Sequence, residues 1–334
     1  NYISAATQAT AMMMQEFGKK LRNNYFETEE EAQSNKSFRP MLAHKYEDKF
    51  KKMSFPVVSQ PKLDGARCNI YMKDGEVKAF SRTGTEFVSV PHIVKYLTPL
   101  FTANPNLILD GELYNHALKN DFEEIMSIIR QTKPSEEDLK KSENMVQYHI
   151  YDMFLNSVPN LEFEDRSLIV ASLPIAKSDY VVLVSTTLIK DQLTLDTYYS
   201  DYVKNGYEGQ MVRALNSLYK VDGRSDDLLK RKEFHDAEFK VLDVIEGEGT
   251  NKGIAAKIII DLSVNNGVNT EHLKSLDITS IQDAGMAKGW NHERCKKLLE
   301  DKDSIIGQMA TIEYFEISGH GKLRFPKFKS IRDL

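Results

Sequence analysis

The amino-acid sequence predicts an α+β protein of two domains, the first built from mixed strands and helices and the second from a small β-barrel. Its 334 residues are enough for two domains of ordinary size. Up to about residue 235, short β-rich runs are interleaved with helical patterns, whereas the residues that follow hold mainly β-rich runs. We therefore place the domain boundary near residues 233–237.

Residues 1–37 are predicted to form a helical extension. Within 5–21, apolar residues recur at three- and four-residue spacing, which is typical of an amphipathic helix that packs on the body of the protein: Met12, Met13, Phe17 and Leu21. The polar stretch that begins at Glu29 is expected to be a linker. Because the chain starts at Asn1 rather than Met, we expect its first residues to have been removed.

Residues 38–235 are predicted to form mainly antiparallel sheets with interleaved helices. Lys73-Asp74-Gly75-Glu76 separates two β-rich runs and carries the Asp-Gly pair typical of a tight hairpin. The charged stretch 134–143 is expected to face solvent. Further strands are expected at 107–113, 146–154 and 180–185, and helices at 90–101, 122–131, 161–173 and 191–205.

Residues 236–334 are predicted to form the barrel. The β-rich runs of this part are 237–246, 255–262, 309–317 and 322–328, and the segment 271–303 between them is helical in character. About five short strands with one helical insertion fit a small barrel such as an OB-fold.

Composition excludes several classes of protein. The net charge is −5, from 44 basic and 49 acidic residues, which argues against a coat of nucleic acid held by bulk charge but permits a local basic groove. Since no stretch approaches about 18 uninterrupted apolar residues, no membrane contact is expected. Cys68 and Cys295 alone supply neither a disulfide framework nor a zinc site, so we expect a reducing, cytoplasmic compartment.

The segment Lys62-Leu63-Asp64-Gly65-Ala66-Arg67 lies between two β-rich runs, so Lys62 is expected at the end of a strand. A lysine amine can attack the α-phosphorus of a nucleotide and hold the nucleotide as a phosphoramidate. The amine must first lose its proton, so its pKa is expected to fall from about 10.4 through burial and nearby cations. Asp64 can orient the amine or a metal-bound water, and Gly65 permits a close turn. An ordinary charged surface turn would contain the same residue types.

This segment resembles motif I of the covalent nucleotidyltransferases, the superfamily of ATP-dependent DNA ligases, RNA ligases and mRNA-capping enzymes. Six further segments resemble the later motifs and follow in the same order: 81–84, 109–113, 149–154, 208–213, 229–232, and 323–328 with Arg332 and Asp333. The segment Pro40-Met41-Leu42-Ala43 is typical of DNA ligases. The resemblance covers residues 38–334 and favours the ATP-dependent DNA ligases of the small phage type.

The resemblance implies a nucleotide site. The residues implied to bind ATP are Gln60, Lys62, Arg67, Arg82, Glu112, Tyr151, Lys230, Lys232, Arg324 and Lys327. Those implied to act in catalysis are Lys62, Asp64, Lys230 and Lys232, and those implied to bind Mg²⁺, or Mn²⁺ in its place, are Glu112 and Glu208. Gln60 would meet the adenine edge and Tyr151 would stack on the purine. Lys230 and Lys232 would face the α-phosphate from one side of a strand and lower the pKa of Lys62.

The implied fold is a nucleotidyltransferase (ATP-grasp-like adenylation) domain with antiparallel sheets at 38–235, followed by an OB-fold domain at 236–334. The implied activity is ATP-dependent sealing of 5′-phosphate/3′-hydroxyl nicks in duplex DNA by a monomer, through AMP carried on Lys62 and a DNA-adenylate. An RNA ligase, an mRNA-capping guanylyltransferase and, in a different class, a non-catalytic nucleic-acid-binding module remain alternatives. Lys296 and Lys297 are expected to contact DNA phosphates.

Overall fold

The computed structural model describes residues 5–22, 25, 28–29, 37–119, 122–175, 178–232, 234–266, 281–318 and 321–332. It divides the chain into two compact units, with the break between Lys232 and Glu233. Among the described residues, no helix is long and apolar enough to cross a membrane. The first part of the predicted insertion, 271–280, and the predicted motif residue Asp333 lie outside the described residues.

The helices are mostly short and carry recognisable start signals. Pro91 occupies the first turn of one helix, and the Asp191 side chain caps another by accepting from the Thr194 N–H. In chain order the helices are α1 (Ala5–Arg22), α2 (Tyr46–Lys49), α3 (Pro91–Ala103), α4 (Phe122–Ile129), α5 (Glu136–Met145), α6 (Phe163–Ser172), α7 (Gln192–Lys204), α8 (His292–Glu300) and α9 (Lys302–Ile305). Short 3-10 turns occupy Phe50–Lys52, His116–Leu118 and Gly249–Asn251.

The strands of the first unit form two five-stranded sheets. Their bounds are β1 (Leu42–Lys45), β2 (Val57–Lys62), β3 (Ala66–Lys73), β4 (Glu76–Ser81), β5 (Leu107–Tyr114), β6 (Gln147–Leu155), β7 (Val181–Leu183), β8 (Thr187–Ile189), β9 (Gly209–Ala214) and β10 (Arg224–Arg231). The first sheet has the order β1-β10-β9-β2-β8, and the second has the order β4-β3-β5-β6-β7.

The two sheets are mainly antiparallel, as predicted, but each also contains one parallel pair of strands. The β3–β4 hairpin is antiparallel as predicted, with Asp74 and Gly75 at positive φ in its turn. However, β6 and β7 run parallel, because α6 lies between them in the chain and forms a crossover. The edge strand β1 also pairs in parallel with β10, a strand that lies far away in sequence.

Three apolar clusters hold the first unit together. One lies between the second sheet and its helices and includes Ile93 and Phe101 of α3. Another covers the first sheet with Leu195 of α7. The third joins the two sheets, since Leu228 of β10 and Ile108 of β5 belong to the same buried cluster. The two sheets are therefore fixed face to face, and the polar ends of their strands can converge on one site.

One prediction for the first unit is confirmed and another is wrong. The charged stretch 134–143 faces solvent as expected, and it does so as part of α5, which begins with a reciprocal capping box between Ser135 and Asp138. The predicted packing of the N-terminal helix is not observed, because Met12, Met13 and Phe17 of α1 are 61%, 64% and 46% exposed.

The second unit contains a closed five-stranded barrel in the order β11-β12-β13-β15-β14, whose strands are β11 (His235–Glu246), β12 (Ala255–Asn266), β13 (Ile281–Met286), β14 (Met309–Tyr314) and β15 (Lys327–Ile331). Phe239, Ile258 and Phe328 are fully buried inside it.

The predicted helical insertion at 271–303 is corrected at its centre. Ile281–Met286 is the barrel strand β13, which pairs with β12, and the helix that the described part of this segment contains begins at His292. The last strand also begins later than expected, at Lys327, because Phe325 adopts a positive φ and ends the extended run.

Candidate active site

A cavity of about 220 Å³ opens in the first unit, and its walls come from both sheets. Seven of the predicted site residues line it: Gln60, Lys62, Arg67, Arg82, Glu112, Tyr151 and Lys230. Leu42, Ala43, Met211, Arg213 and Arg224 line the same cavity and were not predicted. The structure therefore brings together residues that are as far apart in the chain as Leu42 and Lys230.

Lys62 is the last residue of β2 and lies opposite Gly209, the first residue of β9. Its carbonyl accepts a hydrogen bond from the backbone N–H of Glu208 at 2.9 Å, and its Nζ forms an ion pair with Glu208 Oε2. Gly209 has φ 151°, and a Cβ there would lie 2.1 Å from the Arg231 carbonyl oxygen. Glycine at position 209 therefore allows the chain to carry Glu208 beside Lys62.

The pKa of Lys62 shifts in the direction opposite to the predicted one. Burial disfavours its charged form, but the Glu208 carboxylate outweighs this effect and raises the pKa of the Lys62 amine above the ordinary 10.5. Lys230 is the amine with the expected behaviour, since burial and the charges of Lys62 and Lys232 lower its pKa. Lys62 is thus held as an ammonium ion in this arrangement.

Glu208 bridges two lysines. Its Oε1 accepts a hydrogen bond from Lys232 Nζ at 2.9 Å, and its Oε2 pairs with Lys62. Burial opposes its negative charge, but the two ammonium groups hold the pKa of Glu208 below its usual value. Although Lys232 does not line the cavity, Glu208 links it to Lys62, which does.

Arg231 points to the other side of β10 from its neighbours Lys230 and Lys232, as the strand period requires. Its guanidinium group lies over the rings of Tyr199 and Tyr46, at 4.1 and 4.9 Å from their centroids. Its Nη1 also donates to Asp196 Oδ1 at 2.6 Å. These contacts fix the register of the strand end that carries both lysines.

Glu112 and Tyr151 meet on the second sheet. The Tyr151 hydroxyl donates to the Gly111 carbonyl at 3.1 Å and lies 3.3 Å from Glu112 Oε2. Burial raises the pKa of Glu112 to about 8, although Lys62 and Arg67 act in the opposite direction. Glu112 is therefore largely protonated at neutral pH in this arrangement.

Arg67 is held by residues that the sequence analysis assigned no role. Its Nε and Nη2 donate to the two oxygens of Asp110 at 2.9 and 2.6 Å, so the guanidinium group is fixed in one plane. Asp110 is fully buried and also accepts from the Tyr219 hydroxyl at 2.6 Å and from Asn69 Nδ2 at 3.1 Å. Asp110 lies in the segment 109–113 that resembles a family motif, but Tyr219 carries no local signal that could have identified it.

Asp64 and Gly65 connect β2 to β3 beside the cavity. The charge of Asp64 acts on Lys62, although more weakly than the charges of Glu208 and Glu112. A Cβ at Gly65 would lie 2.2 Å from the Leu113 carbonyl oxygen. The prediction that Gly65 permits a close turn is therefore confirmed.

Arg324 and Lys327 belong to the second unit. The Arg324 guanidinium pairs with Glu316 and lies over the rings of Phe315 and Phe325, at 5.6 and 5.4 Å from their centroids. Lys327 begins β15, opposite Gly285 of β13 and Glu313 of β14.

This chain is similar in sequence to a family model and to several curated proteins. A family model described as "ATP dependent DNA ligase domain" matches residues 40–232. A DNA ligase of African swine fever virus is 24% identical over 253 residues, which is 72% of this chain and 58% of that protein. DNA ligase 2 of Methanosarcina acetivorans is 28% identical over 304 residues, which is 81% of this chain and 51% of that protein. The chain thus spans a little more than half the length of these curated relatives.

Solved structures share the fold. The structure named Pmar-Lig_PreS3 has a TM-score of 0.71 at 23% identity, and the match covers 88% of this chain and 67% of that one. A structure from an analysis of Lig E DNA ligases, described as binding DNA with a minimal scaffold, has a TM-score of 0.65 at 23% identity, with 88% and 99% covered.

Proposed function

Because this chain belongs to the family of ATP-dependent DNA ligases, we propose that it seals nicks in duplex DNA by way of an adenylate carried on Lys62. One observation carries the proposal. The Lys62 amine lies in the wall of a cavity that is also lined by Arg67 and Lys230, and it pairs with the carboxylate of Glu208. This is the arrangement that a lysine nucleophile needs in order to meet a triphosphate.

The proposed reaction has three steps, each of which exchanges one bond to phosphorus. First, Lys62 Nζ loses a proton and attacks the α-phosphorus of ATP, so that a P–N bond forms and pyrophosphate leaves. Second, a 5′-phosphate oxygen of the nicked strand attacks the same phosphorus, and the amine leaves. Third, the 3′-hydroxyl loses its proton and attacks the activated DNA phosphate, and AMP leaves. Such transfers depend on positioning and on neutralisation of charge.

The cations of the cavity fit this task. The Arg67 guanidinium, fixed by Asp110, presents a rigid donor face suited to phosphate or ribose oxygens. Lys230 and Lys232 place positive charge beside Lys62 from one strand, and Arg82 adds a further charge at the cavity wall. We propose that these groups bind the α-phosphate and the ribose while Lys62 attacks.

The carboxylates Glu112 and Glu208 fit a divalent cation. Mg²⁺ prefers one or two carboxylates together with phosphate and water. Glu112 and Glu208 both lie close enough to Lys62 to raise its pKa, so an ion held by them would lie beside the amine. Among the described residues there is no group of three or more metal-ligating side chains, so the ATP phosphates would complete the site. The ion would neutralise phosphate oxygens when bound. Glu208, once engaged by it, would release Lys62 and let the amine lose its proton.

The adenine is proposed to lie against Gln60 and Tyr151. Both side chains line the cavity, Gln60 from within β2 and Tyr151 from β6. The Tyr151 ring offers a stacking surface, a contact worth about 1–3 kcal/mol per base in related stacking sites.

The second unit is proposed to be an OB-fold domain, since its closed five-stranded barrel has the right strand number. By family resemblance, Arg324 and Lys327 are proposed to bind the ATP β- and γ-phosphates in the first step. Lys296 and Lys297 of α8 are proposed to contact DNA phosphates. Replacing both by glutamine should reduce the salt slope of nick binding by about two units if they do, and an unchanged slope rejects the contact.

Intact mass measured after incubation with ATP and Mg²⁺ tests the central proposal. We expect a gain equal to one AMP, which Lys62→Ala abolishes and chelation of Mg²⁺ prevents. No gain in the unaltered protein would leave the alternative of a non-catalytic nucleic-acid binder. Labelled GTP in place of ATP separates a capping guanylyltransferase, and nicked substrates with RNA on either side separate an RNA ligase.

A further inference from the structure

The side chain of Gln60 is held in one orientation. It is 3% exposed, and its Nε2 lies 3.1 Å from the Tyr151 carbonyl oxygen and 2.9 Å from Thr186 Oγ1. The first contact comes from β6 of the second sheet, and the second comes from the segment between β7 and β8. Gln60 itself lies on β2 and lines the nucleotide cavity.

Proton accounting fixes which atom faces which partner. The Tyr151 carbonyl can only accept, so the amide nitrogen of Gln60, not its oxygen, must face it. The Thr186 hydroxyl has one proton, and it donates this proton to the Val184 carbonyl at 3.1 Å. Towards Gln60, Thr186 can therefore only accept. Both hydrogens of Gln60 Nε2 are thus used by the protein.

The amide of Gln60 has only its oxygen left for a ligand. An oxygen acceptor in the cavity wall attracts a base that offers an N–H and repels a base that offers a carbonyl. Adenine carries an amino group at C6, whereas hypoxanthine and guanine carry an oxygen there.

We infer that Thr186 is a positioning residue for nucleotide specificity: by fixing the Gln60 amide with its oxygen towards the cavity, it makes the site select a 6-amino purine over a 6-oxo purine. This inference rests on the proposed function, because it requires that the cavity holds the base of the nucleotide. Thr186 acts through Gln60 rather than by contact with the base.

The energetic reason lies in the cost of turning the amide over. To accept a 6-oxo purine, Gln60 would have to present Nε2 to the base. This either breaks its hydrogen bond to Thr186 or takes the Thr186 proton away from the Val184 carbonyl, and it places Oε1 against the Tyr151 carbonyl. Sites that use fixed, buried hydrogen-bonding groups reject ligands that leave such groups unpaired. Removing the Thr186 hydroxyl removes one of these two barriers and leaves the other, so selectivity should weaken but not vanish.

The test compares ATP with inosine triphosphate, because the two nucleotides differ only in the base, at C6 and the neighbouring N1 proton. For each nucleotide, we measure the rate constant of covalent labelling of Lys62 by intact mass in single turnovers. This rate constant is divided by the KM for that nucleotide, and the quotients for ATP and ITP give the selectivity ratio. In Thr186→Val, which keeps the shape but lacks the hydroxyl, we expect the ATP-to-ITP ratio to fall about fivefold. Thr186→Ser keeps the hydroxyl and should preserve the ratio within about twofold.

The outcomes separate the two proposals. If the unaltered protein gains no nucleotide from ATP, the proposed function fails. If it gains AMP but Thr186→Val keeps the original ratio, or loses rate equally with both nucleotides, the inference about Thr186 is overturned while the ligase proposal stands. Thermal unfolding of both variants shows whether any common loss of rate comes from a damaged fold.

Discussion

Two carboxylates of the first unit are each held between two cations, but the cations differ in kind. Asp152 lies between Arg166 and Arg213, with the side chains 0%, 1% and 4% exposed. Glu208 lies between Lys62 and Lys232, with the side chains 8%, 20% and 15% exposed. Asp152 of β6 is held by Arg166 of α6 and Arg213 of β9, whereas Glu208 joins Lys62 at the end of β2 to Lys232, which follows β10. Arg213 and Lys62 both line the cavity, but only the Glu208 triad brings a lysine amine to it.

The difference teaches where chemistry can occur. An arginine stays charged at any working pH and holds a carboxylate in a fixed plane, so the Asp152 triad can only support the structure. Arg166 also donates to the carbonyl oxygens of Leu161 and Ser217 and so joins three segments of chain. A lysine, in contrast, can lose its proton. When a ligand in the cavity draws the Glu208 carboxylate away, the Lys62 ammonium group can therefore become a neutral amine. The contacts of Asp152 therefore indicate a structural role rather than a chemical one.

The largest expected effect comes from giving the Glu208 triad an arginine, as the Asp152 triad has, in place of Lys62. Lys62→Arg keeps a cation beside Glu208 but supplies a group that stays protonated and cannot form the phosphoramidate. We expect complete loss of covalent AMP, measured by intact mass, with a thermal midpoint close to that of the unaltered protein. Covalent AMP on Lys62→Arg would show that another residue is the nucleophile and would end the comparison.

The second expected effect separates the two carboxylates by stability. Asp152→Asn leaves two buried guanidinium groups without a counter-charge, so we expect a loss of about 3–5 kcal/mol in the free energy of unfolding. Glu208→Gln is the matched variant. Its partners Lys62 and Lys232 are 20% and 15% exposed, so water can relieve their unpaired charge, and we expect a smaller loss there. Urea unfolding measures both. Equal losses would mean that Glu208 is as structural as Asp152.

The motifs of the sequence explain why the clustering of the candidate site residues was predictable and their supports were not. Lys62, Glu208, Lys230 and Lys232 lie in short segments that resemble family motifs, and the strand period places Lys230 and Lys232 on one face. Tyr219 and Thr186 reach the site only through tertiary contacts with Asp110 and Gln60, so no local pattern marks them.

The prediction that the pKa of Lys62 falls was wrong for a similar reason. The two neighbouring lysines on β10 could be read from their spacing, and they predict a lowered pKa. The pairing of Lys62 with Gly209 could not be read, and it places the Glu208 carboxylate closer than either cation. At the level of the fold, hairpin signals predicted antiparallel pairs correctly, but the parallel pairing of β1 with β10 depends on contacts far apart in sequence.

The third expected effect concerns Glu112, the other carboxylate beside Lys62, which lacks a pair of tightly bound cations. Its pKa is raised from 4.5 to about 8 in the folded protein. A raised pKa contributes stability that is present below the unfolded value and is lost as the pH rises through the folded value. Relative to Glu112→Gln, the unaltered protein should therefore lose stability between about pH 5 and pH 8, with a slope approaching about 1.4 kcal/mol per pH unit.

Urea unfolding of both proteins at several pH values measures this difference. A difference that stays flat over the range would mean that Glu112 is ionised throughout and belongs with Asp152 and Glu208. Added Mg²⁺ with ATP should reduce the slope in the unaltered protein, because a cation favours the ionised carboxylate.

The smallest expected effect tests whether the Glu208 ion pair suppresses the amine of Lys62. Only a neutral amine reacts with an acylating reagent, and the pKa of Lys62 is raised while that of Lys230 is lowered. Without ATP, at pH values from about 7 to 9, Lys230 should therefore be acylated several times faster than Lys62, as measured by peptide mass mapping. In Glu208→Gln, Lys62 loses the carboxylate that raises its pKa but keeps its cationic neighbours, so its rate should rise towards that of Lys230. If Lys62 reacts first in the unaltered protein, its amine is already neutral there. Glu208 then does not keep Lys62 protonated, and a ligand would not need to draw Glu208 away before the amine can react.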